Sequence, residues 1–177
     1  MGKAKWTVDP AHSSIGFSVR HMMVSKVKGQ FRQFDASIEA DPEDLTTADI
    51  SFSIDVNSID TGNQDRDNHL KAPDFFDAQN HPKITFKSTK IVSKGDGVYD
   101  VTGDLTIRGV TRPVTFKVTY GGQGKNPWGA IVAGFSGEGK INRTEFGLTW
   151  NTPLETGGVL VSEDVDISFD IEVKKEE

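Results

Sequence analysis

Apolar and polar residues alternate with a period of two along most of this chain. Ser14–Arg20 sets Ile15, Phe17 and Val19 against Ser14, Ser18 and Arg20. Asp49–Val56 sets Ile50, Phe52, Ile54 and Val56 against Asp49, Ser51, Ser53 and Asp55. Val101–Ile107, Val114–Tyr120 and Val165–Val173 repeat the pattern. Successive side chains of a strand point to opposite faces, so this period predicts strands with one buried and one wet face. Shorter or less regular strands are predicted at Lys5–Val8, Val27–Ala40, Lys83–Val92 and Ala130–Ile141. Turn residues separate them. Asp41-Pro42-Glu43-Asp44, Lys94-Gly95-Asp96-Gly97, Arg108–Pro113 and Gly121-Gly122-Gln123-Gly124 each read as hairpin connections.

One segment breaks the pattern. Residues 61–77, TGNQDRDNHLKAPDFFD, predict a helix over 63–71. Thr61 and Gln64 have capping-box spacing. Asp65 and Asp67 suit the positive end of the helix dipole, Asp67 and Lys71 are an i,i+4 pair, and Pro73 stops the helix. Arg66, His69 and Leu70 share one face. A helix this short is not stable alone, so that face, with Leu70, Phe75 and Phe76, is expected to dock on the apolar interior.

Strands with one apolar face must close on themselves or stack as two sheets. About eight antiparallel strands suit a small closed barrel that holds one ligand. A sandwich remains the alternative. The inner face of the 130–141 strand tips the balance to the barrel. If Ile131, Phe135 and Ile141 point in, so do Ala133, Gly137 and Gly139, and small inner residues leave volume unless neighbours fill it. Inward positions are predicted for Phe17, Phe52, Ile54, Leu105, Ile107, Phe116 and Phe169.

Composition narrows the function. The 177 residues fit a single domain, 1–177, with a real core. A net charge of −6 and the lack of a Lys/Arg cluster argue against nucleic acid. The absence of cysteine excludes disulfides and thiol chemistry. No apolar run reaches membrane-spanning length. The opening MGKAKWTVD has no secretory apolar run, so a cytoplasmic location is expected. His12, His21, His69 and His81 show no ligand-like mutual spacing, and no metal or cofactor is expected. Asn63, Asp65 and Asp67 begin like a calcium loop, but Asn68 and Asp74 stand where Gly and Glu are required. No nucleophile elbow or phosphate-cradling loop appears. Asp164, Asp166, Asp170 and Glu172 read as a solvated strand face.

Phenylalanine dominates the aromatics, with 11 Phe against 2 Tyr and 3 Trp. Most of these rings are expected to be core. Some, with Met22 and Met23, suit the wall of a site for a long apolar ligand, because methionine adapts to irregular surfaces.

Four blocks carry a resemblance. They are WTVDPAHSSIGFSVRHMMVSKVKGQF at 6–31, DRDNHLKAPDFFDAQNHPKITF at 65–86, DLTIRGVTRPVTF at 104–116 and NRTEFGL at 142–148. In this order they resemble the YceI-like family. The resemblance implies an all-β, extended lipocalin-like, eight-stranded antiparallel barrel with a short helical insertion near 63–76. It implies an apolar cavity for polyisoprenoids or related amphiphiles, such as prenyl phosphates or isoprenoid quinones. It implies a homodimer for this chain, as members often are, and a family in which many members are exported to the periplasm.

The reading that follows is a non-catalytic lipid-binding barrel, for carriage, storage or sensing. The expected cavity wall comprises Phe17, Val19, Met22, Met23, Phe31, Phe52, Ile54, Leu70 and Phe75. Phe76, Phe86, Leu105, Ile107, Phe116, Phe135, Phe146 and Phe169 complete it. Arg20, His21, Arg66 and His69 are the candidates for a polar head group, since Arg matches phosphate geometry. Arg20 and Arg66 have an alternative role as structural partners of carboxylates such as Asp65 and Asp67. Two rival functions stay open. One is an enzyme acting on an amphiphile in the same cavity, which a buried His–carboxylate pair would favour. The other is a solid-cored interaction module.

Overall fold

The computed structural model describes residues 3–21, 25–148 and 161–176. Its strands are β1 (Ala4–Val8), β2 (Ser14–His21), β3 (Ser25–Phe31), β4 (Phe34–Asp41), β5 (Asp44–Asp55), β6 (Ile59–Asp60), β7 (Lys83–Gly95), β8 (Val98–Ile107), β9 (Val110–Lys125), β10 (Ile131–Asn142) and β11 (Val161–Lys175). One α-helix, α1 (Gln64–Lys71), lies between β6 and β7.

These segments form eight antiparallel staves of one closed barrel. β1 and β2 are two halves of one stave, split by a 3-10 turn at Pro10–His12; both pair with β11. β3 and β4 form the next stave, and β5 and β6 the third. β7 pairs with β5, each later strand pairs with the one before it, and β11 closes on the first stave. The connectivity is therefore up-and-down, and the pairings of β1 and β2 with β11 close the sheet on itself. That excludes the stacked-sheet alternative.

Three local expectations are corrected. Val27–Ala40 is not one strand. It breaks at Arg32-Gln33, because the Arg32 amide donates to the Ser58 carbonyl and the Gln33 carbonyl accepts from Asp55, at a corner made by the 3-10 turn Val56–Ser58. Gly121–Gly124 is not a turn. It lies inside β9 as an irregularity in the pairing with β10, with Gly122 at φ +100°, and the real turn is five residues later at 126–130. The Arg108–Pro113 connection shrinks to Arg108-Gly109, with φ of +51° and +75°, the positive pair that a two-residue hairpin needs. Pro113 then sits in β9 opposite Asp104, beyond the end of the β9–β10 pairing at Lys117, where a missing amide costs little.

The inner glycines are filled by neighbouring rings. A Cβ on Gly139 would meet Phe116 Cδ1 at 2.5 Å. Gly29, Gly103 and Gly137 are covered in the same way by Phe17, Phe86 and Phe169. The rings continue as an edge-to-face series, Phe86–Phe116 at 5.4 Å and Phe116–Phe169 at 5.8 Å. At one end Trp6 is buried and donates its indole N–H to the Ala40 carbonyl at 3.3 Å. At the other end sits the α1 insertion.

Candidate ligand cavity

The barrel encloses a cavity of about 350 Å³. Its wall contains all seven residues predicted to point inward: Phe17, Phe52, Ile54, Leu105, Ile107, Phe116 and Phe169. Val19, Phe31, Leu70, Phe75, Phe76, Phe86 and Phe135 line it as well. Phe146 does not. It is buried in the core outside the cavity wall, on the 3-10 turn Arg143–Phe146. Met22 and Met23 lie outside the described residues. The wall also has members the sequence did not single out, notably Ile38, Tyr99, Val118 and Ile167.

Polar groups gather at the α1 end. The helix is capped by Asn63, whose Oδ1 accepts the Arg66 amide at 3.1 Å, and not by the Thr61–Gln64 box. Thr61 has another task. Its amide and hydroxyl both donate to the buried Asp67 carboxylate, at 2.9 and 2.6 Å. Asp67 is thereby turned to Thr61 and not to Lys71. Arg66 folds back over the same residue, its Nε donating to Thr61 Oγ1 and its Nη2 to the Thr61 carbonyl, each at 2.8 Å. The expected carboxylate partner of Arg66 is thus replaced by Thr61. Thr61, Arg66, His69 and Leu70 all reach the cavity wall.

After the helix the chain ties a compact knot. Phe76 N–H donates to the Leu70 carbonyl, and Ala78 N–H to that of Lys71. This turns Phe75 and Phe76 inward, with ring centroids 5.2 Å apart. Phe76 meets Phe31 at 6.3 Å, and Phe31 meets Phe17 at 5.6 Å, so the insertion is stitched to the barrel by rings. Arg108 adds a polar tie, donating to the carbonyls of Pro73 and Gly147.

Arg143 is the residue that sequence reasoning missed. Only 2% of it is exposed, and it lines the cavity with its guanidinium 5.8 Å from the Phe75 ring centre. It donates to the carbonyls of Ser162 and Leu148. Burial lowers its pKa below the usual arginine value, against the field of Glu163, yet a guanidinium stays charged in proteins.

The other head-group candidates separate. His69 lies 6.4 Å from Phe75 and pairs with Asp74 at 3.1 Å. The pair keeps 36% and 52% side-chain exposure, so it is wet and not buried. Arg20 is exposed and absent from the wall, as alternation with Val19 dictates. The side chain of His21 lies outside the described residues. Away from the cavity, Asp9, His12 and Glu172 gather ligand-capable atoms within 4.8 Å of one another. Their geometry is accounted for by an ion pair: His12 Nδ1 lies 2.7 Å from Asp9 and 3.5 Å from Glu172. No helix among the described residues is long and apolar enough to cross a membrane.

The family model of the YceI-like domain matches residues 6–173. The chain belongs to the YceI-like family. A UPF0312 protein of Staphylococcus aureus strain USA300 is 48% identical over 161 residues, covering 90% of this chain and 91% of that one. Among solved structures, Burkholderia cenocepacia BcnA superposes with a TM-score of 0.82 at 30% identity, over 93% of this chain and 98% of its own. A polyisoprenoid-binding domain from Saccharophagus degradans has a TM-score of 0.69 at 14% identity, over 97% of this chain and 98% of its own, a likeness of fold. The YceI-like barrel thus persists where most side chains differ.

Proposed function

We propose that this YceI-like barrel binds a polyisoprenoid or related amphiphile in its cavity and does no chemistry on it. The carrying observation is the wall: a ring-rich apolar lumen whose polar groups, the cations Arg66 and Arg143 with the imidazole of His69, sit at the α1 end. The volume lies at the lower end of the range for small-molecule pockets, roughly 300–1,000 Å³. Each isoprene unit entering it gains on the order of 3 kcal/mol as an upper value, from which ordering of the chain subtracts. The cations suit a phosphate or a polarised quinone head, with Arg66 and Arg143 replacing Arg20 as the pair for that role. Support for the tail chemistry comes from the polyisoprenoid-binding relative of the same fold. The enzyme reading requires a buried acid–base pair, and His69–Asp74 is half exposed. Native mass spectrometry of the purified protein, followed by organic extraction, tests the proposal. A retained prenyl lipid or quinone supports it, and an empty barrel that takes up no added prenyl ligand refutes it.

A further inference from the structure

The β9–β10 hairpin reaches the end of the barrel opposite α1, and there Trp128 stands 86% exposed. The exposure is built and not frayed. Asn126 Oδ1 accepts the amides of Trp128 and Ala130 at 3.0 and 2.9 Å. The backbone closes the same turn, Asn126 N–H to the Ala130 carbonyl at 2.8 Å and Gly129 N–H to that of Asn126 at 3.0 Å. Gly129, at φ +86°, permits the bend. A turn so fully bonded holds a large apolar ring in water at a standing cost in hydration.

The surroundings have a sign. Trp128 shares a shallow groove with Lys174, Lys175 and Glu176. Lys125 adjoins it, with its Cε 3.8 Å from where a Cβ on Gly129 would lie. Ile131, 38% exposed, is the cross-strand partner of Lys125. None of Lys125, Lys174 and Lys175 has an ion pair among the described residues. In a chain of net charge −6, three lysines beside this ring stand against one carboxylate, Glu176.

We propose that this tip docks on an anionic lipid bilayer. Tryptophan rests at the head-group level of a membrane, its ring in the apolar margin and its N–H in water. Lysines beside it are drawn to anionic lipids, at about five-fold in partitioning each. A bilayer needs no matching pocket, whereas a stable protein partner buries about 800 Å² on each side, far more than one ring and its neighbours supply. Docking here presents the end of the barrel to a surface where long apolar ligands reside.

The test uses the full-length, ligand-stripped protein, so its outcome is independent of what the cavity holds. It is sedimented with vesicles of phosphatidylcholine, alone or mixed with phosphatidylglycerol. The expected result is binding to the mixed vesicles, with release near 1 M salt, where screening is within ~3 Å. Trp128→Ala should cut partitioning at least about ten-fold with an unchanged melting curve, since the ring is exposed. The combined K125Q, K174Q and K175Q variant should lose up to about a hundred-fold. No binding to either vesicle, or equal binding by wild type and Trp128→Ala, overturns the proposal. Loss of self-association or of a protein partner in Trp128→Ala without vesicle binding also overturns it.

Discussion

Gly137 and Phe169 face each other across the β10–β11 ladder, and the ring of Phe169 occupies the space that a Gly137 side chain would need. The three nearest ring atoms would all lie under 3.0 Å from a Cβ at that position. The pair sets the width of the lumen. Gly137→Val is therefore expected to destabilise the barrel by about 1–3 kcal/mol through overpacking. Chemical denaturation checks this. A stability equal to wild type would show that the ring moves freely and does not define the wall.

The insertion is expected to hold through its two rings. Phe75 is 7% exposed, so Phe75→Ala should cost about 3–5 kcal/mol, and Phe76→Ala somewhat less because it is only partly buried. Both should release bound lipid more readily. Melting temperature and ligand retention, measured together, check this. An unchanged pair of readouts would mean that residues 61–78 are only a surface loop.

These expectations show how much was legible. Period two located the five strands that alternate most regularly and the inward set, because it depends only on burial of one face. The stave breaks at Pro10–His12, Arg32-Gln33 and Val56–Ser58 were less visible. They arise from hydrogen bonds between corners distant in the chain, such as Asp55 N–H to the Gln33 carbonyl. The glycine-rich 121–124 misled for a related reason, since glycine serves a bulge as well as a turn. At the site, helical spacing brought Arg66, His69 and Leu70 together. Arg143 was illegible, because its role comes from meeting Phe75 across about 68 residues of chain, and no local pattern marks it.

Arg143→Leu is expected to lower stability by about 1–3 kcal/mol for the buried Leu148 carbonyl it abandons, and by less for the part-buried one of Ser162. It should also weaken phosphate-headed ligands more than quinones. Arg66→Glu should act on the head in the same direction with less effect on folding, since its partner Thr61 is only partly buried. Parallel denaturation and binding curves separate the two variants. Equal losses for both head types would remove the cations from the head-group role.

The Asp9–His12–Glu172 cluster predicts a pH dependence. Contact with Asp9, then the fields of Asp9 and Glu172, raises the His12 pKa. Its stabilisation is present below the unfolded value of about 6.5 and is lost as pH rises through the higher folded value. The hydrogen bond from His12 lowers the Asp9 pKa, so that contribution is present above the ordinary carboxylate value and lost as pH falls through the folded one. His12→Ala should therefore lower the melting temperature most between the ordinary carboxylate and imidazole values, and least once pH has risen past the raised His12 value. A pH-independent difference would mean that the cluster is not an ion pair.

The most direct test of the central claim is a titration across prenyl chain lengths, with phosphate and quinone heads on each. A chain-reading lumen predicts affinity that climbs with each added unit, by at most about 3 kcal/mol, and then stops early because the cavity holds only about 350 Å³. Phosphate and quinone series should climb in parallel, offset by the contribution of Arg66 and Arg143. Affinity that ignores chain length, or that vanishes without a phosphate, would contradict the account.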